Sequence, residues 1–167
     1  MSSSAVRNFM KQQGFAEEPA AVCDMHFAGL YFQPGIVGPL VVVAILLHSP
    51  VLFLILSAVL WWNVAVPEWN PFELFYNSAV AKPRGWPQLT PAPPPRRFAQ
   101  GMAAAFMLIT AAALLEGWVV TGRIFEAFLV IAFSALLFGK FCLGAYIYLI
   151  FRGEIALANR TLPWVRS

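Results

Sequence analysis

The chain has 167 residues, of which 60% are hydrophobic and only 11% charged, and a mean hydropathy of +0.70, whereas soluble domains run near ~45–50% apolar and ~25% charged. A chain this short cannot hide so much apolar surface in a water-soluble core, since small domains bury only ~60–70% of what they expose unfolded, so a soluble globular enzyme is excluded and the missing solvent is lipid. The net charge of +3 is spread along the chain rather than clustered, which excludes a nucleic-acid-binding module, and two cysteines, Cys23 and Cys142, are too few and too distant for a disulfide framework or a zinc site.

Residues 1–24 read as a cytoplasmic or interfacial N-terminal segment. Arg7, Lys11, Glu17 and Glu18 precede any long apolar run, so the chain start lacks the apolar core of a secretory signal peptide and is expected to be retained. The apolar runs 36–47 and 51–66 each fall short of the ~20 residues of a spanning helix, but the stretch before the first is also apolar. Residues 25–66 are therefore expected to form a hairpin of two membrane helices, turned at His48-Ser49-Pro50 and kinked at Pro34 or Pro39.

Residues 67–97 carry Pro67, Pro71, Pro83, Pro87, Pro91, Pro93, Pro94 and Pro95. No regular helix or central strand is expected there, because each proline lacks a backbone donor. The stretch reads as an extended loop along the headgroups, with polyproline character at 93–95. The runs 98–118, rich in small residues suited to close helix contact, and 124–151, about 28 residues long and able to span with tilt, give a second hairpin over 98–151. Residues 152–167 are a tail. The expected fold is an all-α polytopic membrane protein with four transmembrane helices in two hairpins joined by a long Pro-rich cytoplasmic loop.

Four spans put both termini and the loop on one side, with Arg7, Lys11, Lys82, Arg84, Arg96, Arg97, Arg152, Arg160 and Arg166. The other side has Arg123, and Lys140 lies within the fourth helix. By the positive-inside rule both termini are expected in the cytoplasm, with the protein in a bacterial plasma membrane. Trp61, Trp62 and Trp118 fall where interfacial aromatic belts belong.

Three short motifs stand out in this layout: Asn70-Pro71, Pro94-Pro95-Arg96-Arg97-Phe98-Ala99-Gln100, and Phe141-Cys142-Leu143-Gly144 followed by Tyr148. Together they resemble the bacterial integral-membrane family known as domain of unknown function 4395, over about residues 24–151. Members of that family commonly end the last motif with a second cysteine, where this chain has Ala145. A thiol-disulfide role of such a pair, in which one thiol attacks and its neighbour resolves, would be closed to this chain through that motif alone. The resemblance implies the fold more than an activity.

Cys142 is placed inside the cytoplasmic half of the bilayer and reads either as a small packed hydrophobe or as a redox or ligand group. Lys140, the one ionisable group deep in a span, pairs with a buried acid, tunes a neighbour or snorkels to the interface. Cys23, Asp24 and His26 have the residue types of a metal site without a convincing ligand set, and an interfacial helix start accounts better for them. His26 and His48 lie ~33 Å apart along one helix, so haem ligation within the chain is not expected, while a haem or quinone shared with another subunit stays open. Lys82, Arg84, Arg96 and Arg97 read as surface cations that anchor a helix and attract anionic lipid, or that recognise an acidic partner. Gln100 is expected to bond loop carbonyls or the second hairpin and so fix the loop. Arg123 and Glu126, three apart, are placed to pair.

No phosphate loop, nucleophile elbow, paired carboxylates or zinc-protease helix is present. The sequence reads first as a non-catalytic accessory or scaffold subunit, set in lipid and meeting another membrane subunit or its own copies, without nucleic acid. The alternative is a membrane redox component that handles thiols, sulfur species or quinone through Cys142.

Overall fold

The computed structural model describes residues 4–15 and 20–165, and among them the fold is all-helical with no strand. Glu17, Glu18 and Arg166 lie outside the described residues. An amphipathic helix, α1 (Ser4–Gln12), turns Val6, Phe9 and Met10 inward. It is followed by α2 (Ala20–Leu46), which starts ahead of the expected Met25 and runs helical through Pro34 and Pro39. Next comes α3 (Pro50–Ala65), with Pro50 in its first turn and the Ser49 hydroxyl accepting the Leu52 N–H at 3.3 Å, a proline-primed and side-chain-capped start.

The proline-rich stretch is not the extended loop that its composition suggests. It contains a 3-10 turn at Pro67–Trp69, α4 (Pro71–Tyr76), a π turn at Asn77–Ala81 and a single turn, α5 (Lys82–Arg84). Pro67 and Pro71 each sit in a first turn, where a missing N–H costs nothing, and Pro83 lies in α5, which follows directly on the π turn. The Asn70 side chain caps α4 by accepting the Phe72 N–H at 3.0 Å. Only the later part, up to Pro93, is free of helix. It is pinned by Asn77, whose amide donates to Leu89 O at 3.1 Å and accepts from Leu89 N at 2.8 Å.

Beyond it lie α6 (Pro94–Leu115), α7 (Val119–Leu137), α8 (Leu143–Phe151) and α9 (Ile155–Arg160). The run read as one helix over 124–151 is therefore broken at 138–142. Phe141 N–H turns back to Ala135 O at 3.1 Å, and a Cβ at Gly139 would sit 2.7 Å from that same carbonyl. Lys140 adopts the left-handed region at φ 50. The Tyr31 hydroxyl on α2 reaches the last-turn carbonyls of Leu136 and, at 2.9 Å, Leu137, which meets acceptors that a helix end leaves open.

Among the described residues three stretches are long and apolar enough to cross a membrane: Cys23–Leu46, Pro94–Leu115 and Val119–Leu137. The shorter α3 is equally apolar. At the centre α6 packs against α3, α7 and α8, while α2 packs on α7. Small residues permit this closeness; the Ser57 hydroxyl on α3 donates to Ala104 O at 2.8 Å, beside a fully buried Ala104. The core falls into two apolar clusters, one around Phe53, Met107 and Leu129, the other around Phe9, Leu30, Tyr76 and Cys142.

Candidate functional site

A layer of buried polar side chains lies between the two clusters. On α2, Gln33 follows Leu30 of one cluster by a turn and precedes Val37 of the other by a turn. Its Oε1 accepts from Gln100 Nε2 at 3.0 Å, Asn70 Nδ2 at 3.3 Å and, weakly, Arg96 Nη2 at 3.5 Å. Arg96 Nη2 also lies 3.2 Å from Glu73 Oε1, with both side chains almost fully buried. Burial pushes the Glu73 carboxyl above the usual carboxylate range, against the opposing pull of Arg96 and of the Asn70 amide. Arg96 Nη1, Gln100 Oε1 and Glu73 Oε1 complete no hydrogen bond.

Cys142 stands beside this layer as the N-cap of α8. Its sulfur takes no capping hydrogen bond from the helix start, and the Arg96 charge is nearby. Gln13 is 4% exposed, yet its Nε2 completes no hydrogen bond. Cys142 N–H donates to Gln12 Oε1 at 2.8 Å, so the residues ending α1 grip the thiol from the far side. Cys142, Gly144 and Gln13 line a partly open cavity of about 100 Å³. One end is polar, with Gln13, Gln33, Arg96, Gln100 and Cys142; the rest is apolar, with Val37, Phe106, Leu129 and Phe133 among its walls.

Several expected sites change character. Arg96, read as a surface cation, is 5% exposed because Glu73 arrives from a segment that folds into α4 instead of running extended. Arg97 is half-buried and donates to Val64 O through Nη2 at 2.7 Å and Nε at 3.2 Å, fastening α6 to the end of α3. Lys82 and Arg84 are exposed, and Arg84 lies 5.0 Å over the Trp86 ring. Gln100 bonds neither a loop carbonyl nor the second hairpin but Gln33 on α2, the acceptor it shares with Asn70 of the loop.

Lys140 is not embedded in a continuous helix. It sits in the break, partly exposed, with its amine 5.4 Å from the Phe27 ring centre. Asp24 is exposed whereas Cys23 and His26 are buried, so these three do not converge; among the described residues no three His, Cys, Asp or Glu side chains are grouped to hold a metal. Cys23 and Cys142 are buried thiols of the same apolar cluster. The pairing of Arg123 with Glu126 is present at 2.8 Å, and Arg123 Nη2 also lies 2.5 Å from His48 Nε2, tying the two far turns together.

Sequence reasoning missed Gln12, Gln13, Gln33 and Glu73. For Gln33 a signal existed, an amide inside an apolar membrane-length run, which lipid tolerates poorly without partners. Of the residues that carry the family resemblance, Asn70, Arg96, Gln100 and Cys142 meet at this cavity and its polar layer. No curated protein and no solved structure matches the chain. Residues 28–152, from the first turns of α2 to the end of α8, match the family described as Domain of unknown function (DUF4395), and the chain belongs to that family.

Proposed function

We propose that this chain is a bacterial plasma-membrane protein that crosses the bilayer four times, through α2, α3, α6 and α7, with both termini and the proline-rich segment in the cytoplasm. The reading is supported by the apolar helices and by the excess of Lys and Arg at the termini and the 67–97 segment. Cys142 is its functional group, a thiol that exchanges with small sulfur compounds inside the cavity. In that exchange the Cys142 thiolate attacks one sulfur of a disulfide, a new S–S bond forms, the old one breaks, and the departing thiolate takes up the released proton.

One observation carries this reading. Cys142 stands at the N-cap position of α8 on the wall of a cavity whose other polar groups include buried donors that complete no hydrogen bond. A cysteine serving only as packing needs none of these. The accessory-subunit reading has less to stand on, since it rests on a free proline-rich loop. Much of that stretch folds onto the protein itself, with Tyr76 donating to Met25 O at 3.3 Å and Leu89 buried.

The test is thiol modification of the purified protein in mild detergent by methyl methanethiosulfonate and by hydroxyethyl disulfide, read by mass spectrometry. Adducts are expected at Cys142 and absent from Cys142→Ser, with Cys23 as the internal reference. A Cys142 that reacts only after denaturation would overturn the thiol reading and restore the accessory subunit.

A further inference from the structure

The groups around the cavity specify more than a thiol. Arg96 Nη1 and Gln13 Nε2 are buried donors, Gln100 Oε1 is a buried acceptor, and none completes a hydrogen bond within the protein. Such groups are costly when dry, about 1–3 kcal/mol each, and become favourable when a ligand meets them. The charge of Arg96 is matched by Glu73 at 3.2 Å, so the site offers hydrogen bonds without a net charge to neutralise. A multiply charged anion would pay the full cost of leaving water for a low-dielectric site with nothing left to offset it. The remaining wall is apolar and aromatic, from Phe9, Phe106 and Phe133.

We infer that this cavity binds the head of a lipophilic quinone. The carbonyl oxygens of the oxidised ring accept from Arg96 Nη1 and Gln13 Nε2. The hydroxyl of the reduced ring donates to Gln100 Oε1. One set of side chains thus serves both oxidation states, and the ring lies against the phenylalanines. The apolar part of the cavity, lined by Met102, Leu129 and Leu136 from the spanning helices α6 and α7, takes the start of the isoprenoid tail.

This inference rests on the same cavity as the thiol reading, though binding itself makes no use of the sulfur. A phospholipid ester carbonyl with its acyl chain offers related chemistry, an acceptor on an apolar body, so the test separates the two. The purified full-length protein is titrated in mild detergent with decylubiquinone, whose fully substituted ring has no free position for thiol addition, and is separately extracted for bound lipids.

Saturable binding near one quinone per chain is expected, weakened roughly tenfold by Ala132→Phe, which fills the cavity with an apolar side chain, and several-fold by Gln13→Leu. The Lys82→Gln protein, changed at an exposed cation away from the cavity wall, is expected to bind quinone as the parent does. Uptake that never saturates, or affinity unmoved by both variants, would show quinone dissolving in the micelle and overturn the inference. Stoichiometric phospholipid in the extract, undisplaced by decylubiquinone, would overturn it too. Should Ala132→Phe not fold, Gln13→Leu with melting temperature as a control decides the matter. Quinone binding with an inert thiol sinks only the thiol reading, and a reactive thiol without quinone binding sinks only this one.

Discussion

The backbone N–H of Cys142 donates to the side-chain oxygen of Gln12, 2.8 Å away across 130 residues of sequence. A donor at a helix start has no intrahelical acceptor, and here the N-terminal helix supplies one. The same glutamine turns its Nε2 to Thr161 Oγ1 at 3.4 Å, so the first and last helical segments meet at the thiol.

Gln12→Leu keeps the bulk and removes the acceptor. An orphaned buried N–H costs about 1–3 kcal/mol, so the melting temperature in detergent should fall by several degrees and alkylation of Cys142 should accelerate. Unchanged values for both would show that α1 is dispensable to the site.

Glu73 predicts a pH dependence. Because burial raises its pKa above the unfolded value, the folded protein holds this proton more tightly than the unfolded chain. The associated stability is fully present below the unfolded pKa and is lost as pH rises through the raised one. Melting temperature followed over that window should fall more for the parent than for Glu73→Gln, which has no proton to lose there. Parallel curves would mean that the Arg96 charge cancels the burial cost.

Ala145, where the family resemblance read from the sequence implies a second cysteine, lies three residues after Cys142 in the first turn of α8. Ala145→Cys should therefore build a dithiol at a helix N-terminus, the setting in which such pairs are redox-active. Mild oxidation is expected to remove two titratable thiols, and reduction to restore them. Persistence of both thiols under an oxidant that acts on small dithiols would show that the α8 N-terminus holds them apart.

Gly144 and Gly35 make a matched pair. A Cβ at Gly144 would lie 2.7 Å from Ala99 Cα and Cβ, while one at Gly35 meets nothing within 4 Å. Gly144→Ala should cost about 1–3 kcal/mol through overpacking of α8 on α6. Gly35→Ala should be neutral, or stabilising by up to about 1 kcal/mol. Equal effects in a thermal melt would indicate that α8 shifts freely.

The membrane character and helical class were legible because lipid demands long apolar runs, and 98–118 or 124–151 can be little else. The break at 138–142 was not, since Phe138-Gly139-Lys140-Phe141 is apolar enough to continue the run; what ends it is the carbonyl contact at Gly139 and the reach of Tyr31 from another helix. The burial of Arg96 was hidden for a related reason. A charge looks like a surface residue until its counter-charge is found, and Glu73 was masked by prolines that prove to be helix starters. Cys142 was visible as a candidate, whereas its setting depends on Gln12 and Gln13 from a short helix whose docking no local pattern announces.

The Asn8 side chain donates to carbonyls 154 and 157 residues downstream, those of Leu162 at 3.2 Å and Val165 at 2.8 Å. During synthesis, α1 leaves the ribosome well before those acceptors exist, and every apolar helix must enter the bilayer in between. A chain truncated before Leu162 loses both acceptors of Asn8, and with them one of the ties that hold α1, the source of Gln12 and Gln13, over Cys142.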